Sequence, residues 1–147
     1  MTFSEYKELI EENYGKCQIL QAERDHCEKN CSKTSERSAP NGVSWIDYWR
    51  AMTDNHLNTL KCSSCGKVLF VGEPTNEQKK EFSRGVDTIE RHRAHGGHIW
   101  VSSPADRSFV GGRYITPLCP ECNGQHDKYI NIMKGSIYCK ELVAMVD

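Results

Sequence analysis

The 147-residue chain has no long hydrophobic run and no strong excess of charge of either sign. A membrane-spanning helix needs about 20 consecutive apolar residues, which no stretch of this sequence approaches, so we predict no membrane association. The formal net charge of −1 argues against a protein that coats nucleic acid over its whole surface. The first ten residues are polar and acidic and lack the apolar segment of a secretory signal, so we expect a cytoplasmic protein.

Hydrophobic residues make up only 37% of the chain, and the mean hydropathy is −0.66. A chain of this length with so thin a core fits one domain, or one small domain with an appendage. A bound metal would help such a core, because its binding free energy adds to the free energy of folding. Cysteine, in contrast, is abundant, with eight residues. In a reducing compartment these cysteines are expected as metal ligands or buried thiols rather than as disulfides.

Four of the cysteines form two Cys-x-x-Cys pairs, Cys62 with Cys65 and Cys119 with Cys122, and turn-forming residues follow both pairs. Each pair can chelate one edge of a tetrahedral zinc ion through a tight turn. A long segment separates the pairs, but the entropy of loop closure rises only slowly with length. We therefore predict a structural zinc ion bound by four thiolates. Such a closed shell leaves no open position for catalysis.

Apolar residues at steps of three and four predict an N-terminal helical section over residues 1–55. The first apolar stripe runs from Phe3 to Cys31, with Gly15 as a possible break between two helices. A further helix begins after Ser44, whose side chain can cap it. Three large side chains line one face of that helix: Trp45, Trp49 and Met52. We expect this face to pack against the first helix.

Residues 56–147 predict a zinc-stabilised domain of mixed secondary structure. The first cysteine pair adjoins a short hairpin, residues 98–101 and 113–118 form two strands, and a helix follows over 123–134. The order strand, loop, strand, cysteine pair, helix is a ββα unit. The predicted fold class is therefore α+β, with a ββα-metal (treble-clef-like) zinc core and an N-terminal helical section.

A glycine-flanked histidine on a strand, followed by Leu-Cys-x-x-Cys-Asn at the start of a helix, resembles the HNH (His-Me finger) endonucleases of the four-cysteine zinc type. The recombination endonuclease VII group is similar because there too an asparagine follows the last cysteine. The resemblance covers about residues 60–130. It is carried by Cys62, Cys65, His98, Cys119, Cys122 and Asn123.

The resemblance implies a metal-dependent endonuclease that hydrolyses phosphodiester bonds in nucleic acid, with DNA expected rather than RNA. His98 would be the general base that takes a proton from the attacking water. Asn123 would hold a divalent ion, with Mg²⁺ expected and Mn²⁺ or Ni²⁺ as alternatives. His126 follows Asn123 by three residues, so on the predicted helix the two would share a face and could act together.

One position departs from the family pattern, because Gly97 stands where these enzymes usually have an aspartate as metal ligand. His126 is the first substitute, and there are three further candidates: His95, Asp87 and Asp127. The alternative is a catalytically degenerate HNH-like zinc module that binds nucleic acid, through the basic stretch 91–98, or a protein partner. The N-terminal helices could also mediate a homodimer or contact a protein partner.

Four residues of the N-terminal section are possible ligands of a second metal: Cys17, His26, Cys27 and Cys31. Cys27 and Cys31 are four residues apart and would share a helix face. The same cysteines also fall on the apolar stripe, where a free thiol packs as a small hydrophobic side chain. The sequence leaves both interpretations open.

Overall fold

The computed structural model describes residues 1–31, 38–85, 88–102 and 109–142. These residues form an antiparallel six-stranded sheet and a separate two-stranded hairpin. The helices are α1 (Phe3–Tyr14), α2 (Trp45–Met52), α3 (Asn76–Phe82) and α4 (Pro120–Asn123). In spatial order the sheet contains β1 (Ile19–Gln21), β8 (Ile137–Lys140), β6 (Phe109–Leu118), β5 (His95–Ser102), β2 (His26–Asn30) and β7 (Tyr129–Ile132). The hairpin pairs β3 (Thr59–Lys61) with β4 (Val68–Phe70).

The first predicted helix is correct only as far as Tyr14. Thr2 and Glu5 form a reciprocal capping box at its start, and Gly15 ends it with φ of +83°. The prediction of a second helix reaching Cys31 is wrong, because residues 19–21 and 26–30 are strands. β2 lies between β5 and β7, and its burial follows a two-residue period with Cys27 exposed. Long-range strand pairing thus overrides the helical spacing of the cysteines. As a result, residues 1–55 and residues 56–147 both contribute strands to the same sheet.

Helix α2 packs across β5 and β6 and also contacts α1. Trp49 and Met52 are buried as predicted, and the Trp49 indole donates a hydrogen bond to the Ile137 carbonyl at 3.0 Å. The Tyr48 hydroxyl donates to the Lys140 carbonyl at 2.6 Å. Trp45, at the start of the helix, is only partly buried and contacts the ring of His98. These contacts fix the N-terminus of α2 above the middle of the sheet.

The predicted helix over 123–134 is wrong. α4 is a single turn that ends at Asn123, and the chain continues into β7 after a turn in which Asp127 has φ of 60°. The α+β class is confirmed, whereas the helix that would complete a ββα unit is only four residues long. No helix within the described ranges has the length and apolarity needed to cross a membrane.

Candidate functional site

The four cysteines of the two pairs converge, as the sequence predicts. The sulfur atoms of Cys62, Cys65, Cys119 and Cys122 all lie within 4.8 Å of one another. The first pair lies in the turn between β3 and β4, and the second begins α4. Ser63 joins the two turns, because its backbone N–H donates to the Pro117 carbonyl at 2.9 Å and its hydroxyl lies 2.6 Å from that of Thr116.

The environment of these thiols suits a bound cation. Three of the four are buried and Cys65 is exposed. Burial raises the pKa of the Cys62 and Cys122 thiols above the ordinary value. Burial also acts to raise the pKa of Cys65, but hydrogen bonds from the Lys67 backbone and the neighbouring thiols lower it overall. Four thiolates so close together would repel one another, and a zinc ion would neutralise them.

Two consecutive glycines allow close packing on both faces of β5. A Cβ atom on Gly96 would lie 2.5 Å from the backbone carbon of Trp45 and 2.6 Å from the backbone nitrogen of Ile46, at the start of α2. A Cβ atom on Gly97 would point to the other face, 2.3 Å from Cδ1 of Leu118 and 3.2 Å from Oδ1 of Asn123. The residue type at both positions is therefore restricted by space, and Leu118 occupies the volume that an aspartate at position 97 would need.

The histidine that contacts Asn123 is His95 rather than His98. His95 begins β5 and pairs with Leu118, the residue before the second cysteine pair, so its side chain meets the end of α4. Its Nδ1 atom lies 3.4 Å from Nδ2 of Asn123. Burial, and then the charge of Arg93, lower the pKa of His95, so the imidazole is neutral at pH 7. The residue directly before His95 is Ala94, which also lacks a carboxylate.

His98 lies on the α2 side of β5, where it is 3% exposed. The rings of His98 and Trp45 meet edge to face with centroids 4.8 Å apart. Nδ1 of His98 lies 3.2 Å from Oε1 of Glu141, whose side chain is 5% exposed. This contact lacks hydrogen-bond geometry and is an ion pair only when the imidazole carries a proton. Sequence patterns gave no indication of Glu141, because it follows the last strand and is brought in by tertiary packing alone.

One open cleft of about 930 Å³ brings the candidate side chains together. The strand β5, the turn α4 and the residues after it contribute His95, His98, Asn123 and His126 to its lining. The helices α1 and α2 contribute Phe3, Trp45, Asp47 and Arg50. Arg93 adds a further positive charge to the lining. His126 thus reaches the same cleft as Asn123, although the helix that was expected to align them is absent.

Asn30 holds the loop that carries Asn123 and His126. Its side chain is fully buried, and Nδ2 donates to the carbonyls of Asn123 at 3.0 Å and Gln125 at 2.9 Å. Its backbone N–H donates to the Lys128 carbonyl, and its carbonyl accepts from the N–H of Asp127. Because Asn30 lies in a segment predicted to be helical, sequence reasoning missed this residue. An isolated asparagine carries no signal of such a role.

Within the part of the chain that the structure describes, the remaining candidates do not assemble into a second metal site. The cysteine cluster is the only group of three or more His, Cys, Asp or Glu residues in the described ranges whose ligand atoms are close enough to share an ion. Asp87 lies outside the described residues. Cys27 is exposed on β2, whereas the thiol of Cys17 contacts the Tyr48 hydroxyl at 3.5 Å. The second-metal interpretation of Cys17, His26, Cys27 and Cys31 therefore gains no support.

The fold and this site define an α+β protein with a four-cysteine cluster that is able to bind a metal ion, compatible with structural zinc. Comparison with protein-family models, with curated proteins and with solved structures finds no match for this chain.

Proposed function

We propose that this protein is a nucleic-acid-binding zinc protein of HNH-like type that hydrolyses phosphodiester bonds. The observation that carries the proposal is the contact between His95 and Asn123 at the end of the β5–β6 hairpin, beside the cysteine cluster. A histidine next to a metal-binding amide is the minimal pair that the resemblance implies for this chemistry. We assign the role of general base to His95 instead of His98, because His95 is the imidazole in contact with Asn123.

The role of His95 depends on which of its ring nitrogens carries the proton. With Nδ2 of Asn123 donating to Nδ1, the proton of the neutral ring is on Nε2, and the ring cannot accept a second proton there as a base. A half turn of the Asn123 amide would present its oxygen to Nδ1–H and free Nε2 to take a proton from water. We expect the catalytic form to have this second arrangement.

The donors next to His95 and Asn123 fit Mg²⁺ poorly. Hard cations need carboxylate oxygens, and neither Ala94 nor Gly97 supplies one next to His95 and Asn123. With His95 kept as the base, the amide of Asn123 and the imidazole of His126 suit a transition metal such as Ni²⁺ better. Such an ion, when bound, would neutralise charge on the phosphate.

A second candidate function is binding without cleavage, and the packing around Gly97 favours it. Leu118 closes the space in which the family's aspartate ligand would lie. The cleft keeps positive side chains, Arg50 and Arg93, that can contact phosphates in the absence of catalysis.

A cleavage assay of the zinc-loaded protein distinguishes hydrolysis from binding without cleavage. The substrates are a plasmid and a single-stranded oligonucleotide. Each substrate is incubated with Mg²⁺, Mn²⁺, Ni²⁺ or Co²⁺. We expect cleavage with a transition metal, and a loss of at least about 100-fold in His95→Ala and Asn123→Ala, the range typical of a lost general base. His92→Ala is the matched control, because His92 stacks on Phe82 and does not line the cleft.

The outcomes are distinct. A protein that retains zinc but cleaves neither substrate with any of the four metals would refute the hydrolase, and salt-sensitive binding would then support the second candidate. Loss of cleavage in His98→Ala but not in His95→Ala would return the role of base to His98. Nitrogen-15 spectra of the histidine rings would show directly which nitrogen of His95 carries the proton.

A further inference from the structure

Part of the wall of the cleft that carries His95 and Asn123 is aromatic. Trp45 and Phe3 both line the cleft and are only partly buried. The rest of α2 turns large side chains into the core, where Tyr48 is fully buried and Trp49 is 5% exposed. Of the two tryptophans of this helix, Trp45 is the one that lines the cleft, and its ring also meets the rings of Tyr48 and His98 edge to face. Single aromatic residues at a surface are common, but here two of them share a concave site with the candidate chemical groups.

Positive groups lie next to these rings. The guanidinium of Arg50 lies 4.8 Å from the centroid of Phe3, and its Nε atom has no hydrogen-bond partner within the described part of the chain. Arg93 is held by Glu90, with N–O distances of 2.8 and 3.0 Å, and lies over the Phe70 ring. Asp47 supplies the one carboxylate among the described residues that line the cleft and lies 3.7 Å from Arg50, so the two guanidinium groups outnumber it. The lining therefore favours an anionic ligand.

Aromatic rings combined with cationic groups are the means by which proteins bind single-stranded nucleic acids. Each exposed base can stack on an aromatic face, and the phosphates follow the positive groups. In a duplex the base faces are covered by neighbouring bases, so an aromatic residue on the inner wall of a cleft cannot reach them without unstacking. A volume of about 930 Å³ is near the upper end of the range for small-ligand sites, roughly 300–1,000 Å³, and leaves room for an unpaired nucleotide.

We propose that the cleft binds an unpaired nucleotide of a single-stranded segment of nucleic acid, with its base against Trp45 and its phosphate between Arg50 and the His95–Asn123 pair. This inference rests on the proposed function for the location of the phosphate. It adds the class of substrate, since a site that reads only the backbone of a duplex would have no use for the aromatic wall.

The test measures binding by the zinc-loaded protein without any added divalent ion. Fluorescence anisotropy is recorded with a labelled single-stranded oligodeoxynucleotide of mixed sequence and with the blunt duplex of the same sequence. We expect tighter binding of the single strand, and about ten- to a hundredfold weaker binding in Trp45→Leu, as one lost base stack predicts. Trp100→Leu is the matched control, because Trp100 is a partly buried tryptophan on β5 that does not line the cleft.

Zinc content and melting temperature show whether Trp45→Leu is folded. If it is not, quenching of intrinsic fluorescence in the Trp100→Phe variant gives a second readout, because a base stacked on Trp45 quenches its emission. Equal or tighter binding of the duplex, unchanged binding by folded Trp45→Leu, or single-strand binding without quenching would each overturn the inference. Single-strand binding without cleavage in any metal would refute the proposed hydrolase and leave this inference intact. Cleavage confined to duplex DNA would support the hydrolase and overturn this inference.

Discussion

The contact between Gly97 and Leu118 makes a quantitative prediction about stability. In Gly97→Ala the new Cβ would lie 2.3 Å from Cδ1 of Leu118, whereas carbon atoms in contact are about 3.5–4.0 Å apart. Leu118 is fully buried and must move by more than 1 Å, roughly, to restore that separation. Overpacking of this kind typically lowers the free energy of unfolding by about 1–3 kcal/mol. Replacing glycine by alanine raises it by about 0.4–1 kcal/mol, because alanine restricts the unfolded chain. We expect a net loss of roughly 1–2 kcal/mol.

Thermal and urea unfolding of the zinc-loaded protein measure this loss. For a chain of this length it corresponds to a fall in melting temperature on the order of 3–8 °C. Gly124→Ala is the control, because Gly124 has φ of −75° and its Cβ would meet only the Pro120 carbonyl oxygen closely, at 3.2 Å.

A double-mutant cycle identifies the cause of the loss. Leu118→Ala alone should cost about 2–5 kcal/mol by leaving a cavity. In the double variant Gly97→Ala with Leu118→Ala, the clash is removed, so the total cost should fall short of the sum by about 1 kcal/mol or more. Additive costs, or a Gly97→Ala protein within about 0.5 kcal/mol of the wild type, would refute the conclusion that Leu118 closes this position.

Three further predictions concern the bound metal, the loop held by Asn30 and the thiol of Cys17. Removal of zinc by a chelator should abolish cooperative unfolding, since the free energy of metal binding would add to that of folding, and an unchanged near-ultraviolet spectrum after zinc loss would contradict this. Asn30→Ala should lose about 1–3 kcal/mol and accelerate amide exchange over residues 122–128, whereas Asn131→Ala, which removes an exposed amide–carbonyl hydrogen bond, should lose less than about 1 kcal/mol. Alkylation of Cys17 by iodoacetamide should rise with pH through about 7, because a hydrogen bond from the Cys139 thiol lowers the pKa of the Cys17 thiol to about 7 and only the thiolate reacts. Cys139→Ala should move this midpoint upward, and an unmoved midpoint would exclude that hydrogen bond as the cause.

The parts of the structure that the sequence predicted are those set by local chemistry. The cysteine cluster follows from two chelating turns, and α1 and α2 follow from caps and apolar spacing. The strands β1 and β2 could not be foreseen, because their polar residues become ordered only by pairing with β8, β5 and β7. A helical period among cysteines was misleading for the same reason: the buried residues of β2 include Glu28 and Asn30, which no hydrophobic pattern reveals.

The choice between His95 and His98 illustrates what pattern reasoning lacked. The sequence predicted a strand over residues 98–101, which placed His98 at its start and left His95 outside it. Register decides otherwise: β5 begins at His95 because that residue pairs with Leu118, directly before the second cysteine pair. The alternation of side chains along the strand then sends His98 to the α2 side and leaves His95 beside Asn123. The signal in the sequence that could have indicated this register is the position of the strands relative to the second cysteine pair.

The two glycines connect the aromatic wall to the missing carboxylate. Gly96 lets the start of α2 rest on β5, which brings Trp45 into the cleft, while Gly97 lets Leu118 fill the opposite face next to Asn123. A side chain at position 96 would push α2 away and widen the cleft, and one at position 97 would displace Leu118 from the core. Close packing of the cleft and a carboxylate ligand at position 97 are therefore mutually exclusive in this fold. A hard cation is held poorly by imidazole and amide donors, so we expect an ion bound beside Gly97 to be softer than Mg²⁺.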